Sequence, residues 1–305
     1  MSRKVKSIQN TQVNYSMENP SKPDETEWIE SSSFVSSMVE YDLHGNTIKT
    51  ASYSEHGGVH ELFEYSFDEQ NRLAEEICYF DEDEVAEHKF ISWDGNKRVS
   101  ERITYQEGGE NIVHLSYNEA EQLIERRVVD QDDDLQEKET FEYLNKNLVS
   151  EKMFDEEEKL IYEKKYSYND KDLLAEYEYS SQERTEYSKV VYSYHEDGKR
   201  EKVLRYNWKQ ELIMKTVHVE DENGNVVEVD EEDKQSKKIT RLTYDDAGNQ
   251  IKQEEYDEND ILVTSVERTY DADNNLIEIL VYTQNPEDDV RQMYATKYEY
   301  VFFDE

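Results

Sequence analysis

The chain has 305 residues, of which 35% are hydrophobic and 36% charged, so it lacks the apolar content of a thick globular core. Its 24 tyrosines argue equally against a disordered acidic chain, because such chains are poor in aromatic residues. The net charge of −39 argues against nucleic acid or an anionic membrane as a partner, and it would either steer a basic partner inward or simply give an acidic solvated surface.

Cys78 is the single cysteine, so no disulfide can form within the chain, which suits a reducing compartment. No long apolar run follows the first ten residues, and we expect neither a signal peptide nor a transmembrane segment. The expected location is therefore cytoplasmic, with export by a route that needs no signal peptide as the alternative.

Residues 1–30 lie before the regular pattern described below and hold two of the three prolines, Pro20 and Pro23. We expect residues 1–30 to form a flexible N-terminal tail. Its cluster of Arg3, Lys4 and Lys6 could dock on the acidic body. Residues 31–305 are predicted to form a single repeat domain with atypical end units.

A short phrase recurs along the chain: an aromatic residue, Asp or Asn, a polar turn, and then an apolar residue. The clearest copies run from Tyr41 to Ile48, Tyr244 to Ile251 and Tyr270 to Ile277. Degenerate copies begin at Phe67, Trp93, Tyr117, Tyr143, Tyr168, Tyr194 and near Val219. Even spacing of about 25 residues over ten copies indicates a repeat architecture.

A second polar turn lies about half a period after each phrase, as in 54–58 and 106–109. The stretches between turns are rich in Tyr, Val, Ile and Thr, which is typical of strands joined in hairpins. The predicted fold is all-β: an elongated antiparallel sheet of about ten β-hairpin repeats of ~25 residues, twisted or spiralled. On such a sheet we expect tyrosine rings to pack across strands with their hydroxyls in water.

The phrase Tyr-Asp-x-x-Gly-Asn, best seen at Tyr41 and Tyr244, resembles the YD repeat of rearrangement-hotspot (Rhs) and teneurin-type proteins. The resemblance covers residues 41–284. It implies a bacterial β-sheet scaffold, since repeats of this family form long spiralling antiparallel sheets. The unit here is longer than the family's usual one, and no autoproteolytic core or toxin domain follows in the sequence.

No pattern of catalytic or metal-binding residues stands out. The seven histidines show no metal-ligand spacing, although His56 and His60 could face one another across a hairpin. Acidic runs such as 130–134 are more typical of solvated turns than of calcium loops, because they lack the glycine and the distal glutamate of an EF-hand. We therefore expect no enzyme activity, no metal and no cofactor.

Two regions are candidates for binding a partner. The unit from Tyr194 to His218 carries six basic and four acidic residues, whereas the unit from Phe67 to Ser92 carries two basic and nine acidic. Tryptophan and arginine are common interface anchors. The first candidate set is Lys199, Arg200, Lys202, Arg205, Trp208 and Lys209; ordinary drift among repeats explains the charge equally well. The second set is Tyr298, Tyr300 and Phe302 in the last strand, which is either a cap or an exposed edge that recruits another strand.

The sequence thus favours a non-enzymatic protein-protein interaction or scaffold module. The alternative is an acidic immunity or chaperone-like protein that neutralises a basic effector, such as a nuclease. The expected partner is another protein, with self-association through sheet edges as a further option. A hydrolase with an unrecognised site is the weakest alternative.

Overall fold

The computed structural model describes residues 4–19, 27–81, 84–182, 186–285 and 290–304. All regular structure in these ranges is β-strand, which confirms the predicted all-β antiparallel class. The strands are β1 (Val5–Met17), β2 (Trp28–Tyr41), β3 (Thr47–Tyr53), β4 (Val59–Phe67), β5 (Leu73–Asp81), β6 (Glu84–Asp94), β7 (Lys97–Tyr105), β8 (Glu110–Tyr117), β9 (Leu123–Asp130), β10 (Leu135–Leu144), β11 (Asn147–Phe154), β12 (Leu160–Tyr168), β13 (Leu174–Ser181), β14 (Tyr187–Tyr194), β15 (Arg200–Tyr206), β16 (Leu212–Glu220), β17 (Val226–Asp233), β18 (Lys237–Tyr244), β19 (Gln250–Tyr256), β20 (Leu262–Tyr270), β21 (Leu276–Asn285) and β22 (Val290–Phe302).

The chain divides into two compact units, Met1–Ala86 with Lys238–Glu305, and Glu87–Lys237. In the first unit, antiparallel pairing runs in the order β18-β19-β20-β21-β22-β1-β2-β3-β4-β5. In the second unit, neighbours in sequence pair from β6 to β17. Within each unit, strands that follow one another in sequence therefore pair antiparallel, and in the first unit β1 also pairs with β22.

The terminal strands differ from the prediction. β1 lies between β2 and β22, so a large part of the predicted tail, 1–30, is paired strand, and the predicted boundary falls inside β2. The elongated open sheet of about ten hairpins is wrong on the same ground, because the first and last strands pair with each other. Arg3, Pro20 and Pro23 lie outside the described residues, and Lys4 donates from Nζ to the Leu43 carbonyl at 2.6 Å.

The sheet has a thin core, as the composition indicates. Nine hydrophobic side chains are buried among the described residues, and most other apolar side chains are half-exposed. The buried set is Val13, Ala51, Leu62, Ile91, Val113, Val128, Val129, Val190 and Ala295. Most of them are valine or alanine, and all of them lie within strands.

The Asp or Asn of the phrase closes the turn that follows it. Asp245 Oδ1 accepts the backbone N–H groups of Ala247 and Asn249 at 2.9 and 2.8 Å, and its Oδ2 accepts the Asn249 side-chain amide at 2.9 Å. Gly248 has a φ of +86°, a conformation that glycine adopts without strain. The same carboxylate or amide caps recur in the half-period turns, for example at Asn207 and Asp257. The turn chemistry thus explains why the phrase needs Asp or Asn.

The phrase aromatic ties neighbouring repeats together. A register shift immediately precedes Tyr168 and Tyr194 in their strand pairs. The hydroxyl of each tyrosine donates to a backbone carbonyl 20 residues earlier. The distances are 2.8 Å from Tyr168 to Leu148 and 2.6 Å from Tyr194 to Leu174. Phrase tyrosines of two other copies make equivalent bonds, Tyr117 to Arg98 and Tyr270 to Gln250. Tyr300 in β22, which follows the last copy of the phrase, bonds in the same way to Leu276. These hydroxyls are therefore not left to water, contrary to the prediction.

Two details of the repeat also differ. The copy near Val219 is closed by Asp221, whose N–H donates to the Asn225 carbonyl, so Glu220 takes the aromatic position. The copies at Trp93 and Tyr143 have two-residue turns, in which Asp94 pairs with Lys97 and Leu144 with Asn147. The shorter turns contribute to the 24- and 25-residue steps that follow these two copies, and the step from Glu220 to Tyr244 is also 24 residues.

Candidate partner-binding surface

The first predicted set of site residues lies on the hairpin β15–β16, which we call the basic hairpin (Lys199–Glu220). Asn207 holds its tip, because Asn207 Oδ1 accepts the N–H groups of Lys209 and Glu211 at 2.9 and 3.0 Å. Gln210 has a φ of +61° and donates from Nε2 to the Tyr187 hydroxyl at 3.0 Å, which fixes the tip to β14. The tip therefore presents the residues between Asn207 and Gln210 in a defined position.

The tip carries an exposed apolar patch at Trp208, and β16 adds exposed Leu212 and Ile213 on opposite faces of the sheet. The Trp208 residue is 67% exposed, and Leu212 and Ile213 just beyond the turn are 43% and 38% exposed. Lys209 Nζ lies 4.9 Å from the centroid of the indole, within range of a cation–π interaction. On a chain with so many carboxylates, a large aromatic side chain left in water is a candidate anchor for a partner.

A groove of about 400 Å³ lies beside this patch. Trp208, Gln210 and Tyr187 form one side, and strands β12 and β13 supply Glu163, Lys165, Glu178 and Ser180. Lys165 Nζ is 3.0 Å from Glu163 Oε2, and this hydrogen bond raises the pKa of Lys165. The groove thus combines an aromatic wall with a floor of paired charges, which suits a mixed apolar and polar peptide.

Four cations of the basic hairpin have no carboxylate partner within the described ranges: Lys202, Arg205, Lys209 and Lys215. Most lysines elsewhere in those ranges do form ion pairs, as Lys189 does with Glu176 at 2.8 Å. Unpaired cations are unexpected on a strongly acidic chain, where carboxylates are abundant. The hairpin therefore keeps positive charge available for a ligand.

The structure does not bring all of the first predicted set together. Lys199 and Arg200 lie at the far end of β15 from the tip, roughly 20 Å away for a seven-residue strand. Lys199 Nζ donates to the Gly224 carbonyl at 2.5 Å, and the Arg200 guanidinium lies 4.8 Å from the Tyr192 ring centroid. Lys202 and Arg205 are three residues apart in a strand and so face opposite sides of the sheet. Trp208 and Lys209 form the compact part of the site.

The sequence reasoning missed Leu212, Ile213 and Tyr187. An apolar pair directly after a polar turn is the signal that could have identified Leu212 and Ile213. Tyr187 joins the site through cross-strand neighbours, which the sequence of one hairpin does not reveal.

The second predicted set lies on β22. Tyr300 and Phe302 stack with ring centroids 6.3 Å apart, and Tyr298 is half-buried, which raises its pKa. β22 pairs with β21 on one side and β1 on the other. The prediction of an exposed edge that recruits another strand is therefore wrong for this strand, since both of its edges are occupied.

A second, wider groove lies at the Lys199 end of the basic hairpin. It encloses about 680 Å³ and is lined by His195, His218 and the carboxylates of residues 196, 197, 201 and 220. Burial, and then the charge of Arg200, lowers the pKa of His218. In the part of the chain that the structure describes, no three His, Cys, Asp or Glu side chains are arranged to hold a metal ion.

The acidic runs act as turns. Asp130 Oδ1 accepts the N–H groups of Asp132 and Asp134 at 3.0 Å each, so the run 130–134 closes its own hairpin. The run 81–84 and the enlarged turn 285–289 fall largely outside the described residues. Among the residues that are described, no helix is long and apolar enough to cross a membrane.

Comparisons with known proteins show similarity in fold alone. No family model matches the chain, and no curated protein matches it in sequence. The structure of the Photorhabdus luminescens Tc holotoxin pore is 12% identical over 92% of this chain, with a TM-score of 0.44. A porin-like protein from Bacteroides uniformis is 10% identical over 97% of this chain and 98% of its own length, with a TM-score of 0.32. The TcdB2–TccC3 structure is 10% identical over 96% of this chain, with a TM-score of 0.22.

The chain spans 18% and 21% of the two Tc toxin chains that it matches. Similarity at these TM-scores carries no argument about function. The residues of the chain itself therefore have to support any functional proposal.

Proposed function

We propose that this chain is a non-enzymatic protein-binding module of the YD-repeat kind, and that its partner docks on the tip of the basic hairpin. The repeat part of the proposal is supported by the two jobs of the phrase, in which Asp caps the turn and Tyr bonds to the preceding repeat. Both roles are structural, so exposed side chains such as Trp208 remain available to bind a partner.

The observation that carries the proposal is the exposed Trp208 at the hairpin tip, with Lys209 over its ring and a groove beside it. Burying such an indole in a partner contributes about 2 kcal/mol or more to binding at a typical interface anchor. The cations of the basic hairpin indicate an acidic or carbonyl-rich partner segment beside the apolar contact.

Affinity capture from the native host tests the proposal with three forms of the chain: wild type, Trp208→Ala and Leu144→Ala. Leu144 is the matched control, because it is also 67% exposed but lies at the turn between β10 and β11. We expect one partner to be captured by wild type and by Leu144→Ala and to be lost with Trp208→Ala. Capture that does not depend on Trp208 contradicts the proposed site.

The alternative function, an acidic protein that neutralises a basic effector, is favoured by the net charge of −39. That partner would contact dispersed carboxylates rather than one hairpin, so its capture would be indifferent to Trp208. It would also be lost between about 50 and about 500 mM NaCl, because screening weakens exposed charge pairs over that range. Capture that survives high salt and requires Trp208 separates the first function from the second.

A further inference from the structure

One position of the repeat, two residues before the phrase aromatic, carries an unusual residue type in two copies. The residue two before the phrase aromatic is apolar or aromatic in nine of eleven copies, counting Tyr300 as the last: Val39, Tyr65, Ile91, Leu115, Phe141, Tyr166, Tyr192, Leu242 and Tyr298. The two exceptions are His218 and Arg268. Burial lowers the pKa of His218, so this histidine is neutral at pH 7. Arg268 is therefore the one permanently charged residue at this position of the repeat.

Arg268 also lies on an uncharged part of the sheet in the first unit. Its cross-strand partner is Ile279, which pairs with Thr296. This row of cross-strand neighbours continues through Gln12 to Phe34. The next row along, toward the other end of the strands, is equally uncharged and consists of Val266, Val281, Tyr294, Asn14 and Ser32. No carboxylate is available in either row to neutralise the guanidinium.

One nitrogen of the guanidinium lacks a hydrogen-bond partner within the part of the chain that the structure describes. Arg268 Nη1 is buried and has no acceptor among the described residues. On the same face of the sheet, on β1 three strands from β20, Asn10 Oδ1 is also buried and has no donor in those ranges, although Asn10 Nδ2 donates to Ser37 Oγ at 2.8 Å. Polar atoms of this kind destabilise a fold unless a ligand or an ordered water completes their hydrogen bonds.

Tyr298 supplies a second donor beside Arg268. It is the register partner of Asn10, and its hydroxyl makes no hydrogen bond within the ranges that the structure describes. Arg268 shares its cross-strand row with Thr296, and Tyr298 lies two residues farther along β22 on the same face of the sheet. Burial raises the pKa of Tyr298, and the charge of Arg268 acts in the opposite direction. A guanidinium fork next to a phenol hydroxyl matches the two oxygens of a carboxylate.

We propose that Arg268 and Tyr298 form a binding site for a carboxylate group carried by a ligand or a partner chain. The site lies in the first unit and is independent of the basic hairpin. An anion can approach this strongly acidic protein most easily where its surface lacks carboxylates, and the rows around Arg268 have none. The missing acceptor of Arg268 is then the ligand's oxygen.

Thermal unfolding of the full chain in sodium acetate and in sodium chloride at equal ionic strength tests this site. The forms compared are wild type, Arg268→Leu, Tyr298→Phe and Arg127→Leu. Leucine is the residue that position 242 supplies in the preceding repeat, and Arg127 is an exposed arginine on β9 that matches the change in charge. We expect acetate to raise the midpoint of wild type and Arg127→Leu above the chloride value, because a ligand that binds the folded state stabilises it.

The rise should vanish in Arg268→Leu and shrink in Tyr298→Phe, and Arg268→Leu should be more stable than wild type in chloride. An equal rise in all four forms, or no rise in wild type, overturns the proposal. A rise in wild type with phosphate but not with acetate overturns the assignment to a carboxylate. If Arg268→Leu does not fold, Tyr298→Phe alone decides, since it removes a single oxygen atom.

Discussion

At the scale of single residues, the phrase tyrosine makes a hydrogen bond to the preceding repeat that the sequence pattern does not reveal. The stretches rich in Tyr, Val, Ile and Thr correctly indicated strands, and the tyrosine rings correctly indicated cross-strand packing, as between Tyr166 and Tyr177. At Tyr168, as at Tyr194, a register shift precedes the tyrosine whose hydroxyl bonds to the preceding repeat. A shift of register is a property of two paired strands, so one strand's sequence cannot show it.

Removing one of these hydroxyls should cost measurable stability. Tyr300→Phe deletes the donor to the Leu276 carbonyl, which accepts at 2.9 Å, and we expect a loss of about 1 kcal/mol in the free energy of unfolding. Tyr294→Phe is the control on the same strand and face, because the Tyr294 ring is partly exposed and its hydroxyl makes no hydrogen bond in the described part of the chain. Urea denaturation measures the free energy of unfolding of both variants. An equal loss for the two changes would contradict the role of the Tyr300 hydroxyl in joining neighbouring repeats.

At the scale of the element, the turns were the most predictable feature. The Asp or Asn after most phrase aromatics specified a hairpin, and the structure has a turn at every predicted phrase, including those where Leu144 and His195 stand in that place. The partner site was less predictable. Counting charges along 194–218 identified the basic hairpin, but it could not show that Lys202 and Arg205 face opposite sides, or that Lys199 is used within the fold.

The turn carboxylates should make stability depend on pH in a defined direction. The Asn249 side-chain amide and backbone N–H hold the pKa of Asp245 below its ordinary value of 3.8. A carboxyl whose pKa is lower in the folded state stabilises the fold above its unfolded pKa, and this contribution is lost as pH falls through the folded pKa. Acid should therefore weaken these turns below about pH 4.

Asp245→Asn tests that direction, because Asn118 and Asn169 cap equivalent turns with an uncharged oxygen. We expect Asp245→Asn to be less stable than wild type at pH 7 and the difference to shrink at about pH 3. Urea midpoints at the two pH values provide the measurement. A gap of the same size at both would show that the Asp245 carboxylate has no special role.

At the scale of the whole molecule, the excess of acid should oppose folding. Mutual repulsion among unpaired carboxylates weakens as salt screens it, so the thermal midpoint should rise between about 20 and about 300 mM NaCl, over which the Debye length falls roughly fourfold. Potassium chloride should give the same result, since screening depends on ionic strength. A midpoint that falls with salt would mean that attractive ion pairs, such as Lys49 with Glu64 at 3.0 Å, outweigh the repulsion.

The pairing of the two chain ends was the largest feature that the sequence did not predict. Residues 5–17 are mostly polar, with Asn10 and Asn14 opposite Tyr298 and Tyr294 of β22, and they contain no copy of the phrase. Polar strands of this kind specify their register weakly, and their partner lies almost the full length of the chain away. Short-range patterns therefore made these residues resemble a tail.

A designed disulfide between β1 and β22 tests this arrangement most directly. Asn14 and Tyr294 are register partners, so the double variant Asn14→Cys with Tyr294→Cys, in a Cys78→Ser background, should oxidise readily within one chain. Asn14→Cys with Tyr298→Cys is the control, since its second site lies four residues farther along β22, about 13 Å away. We predict rapid intrachain cross-linking of the first pair alone, seen on a non-reducing gel and by intact mass. If the first pair cross-links no faster than the control, the chain ends are not paired as described.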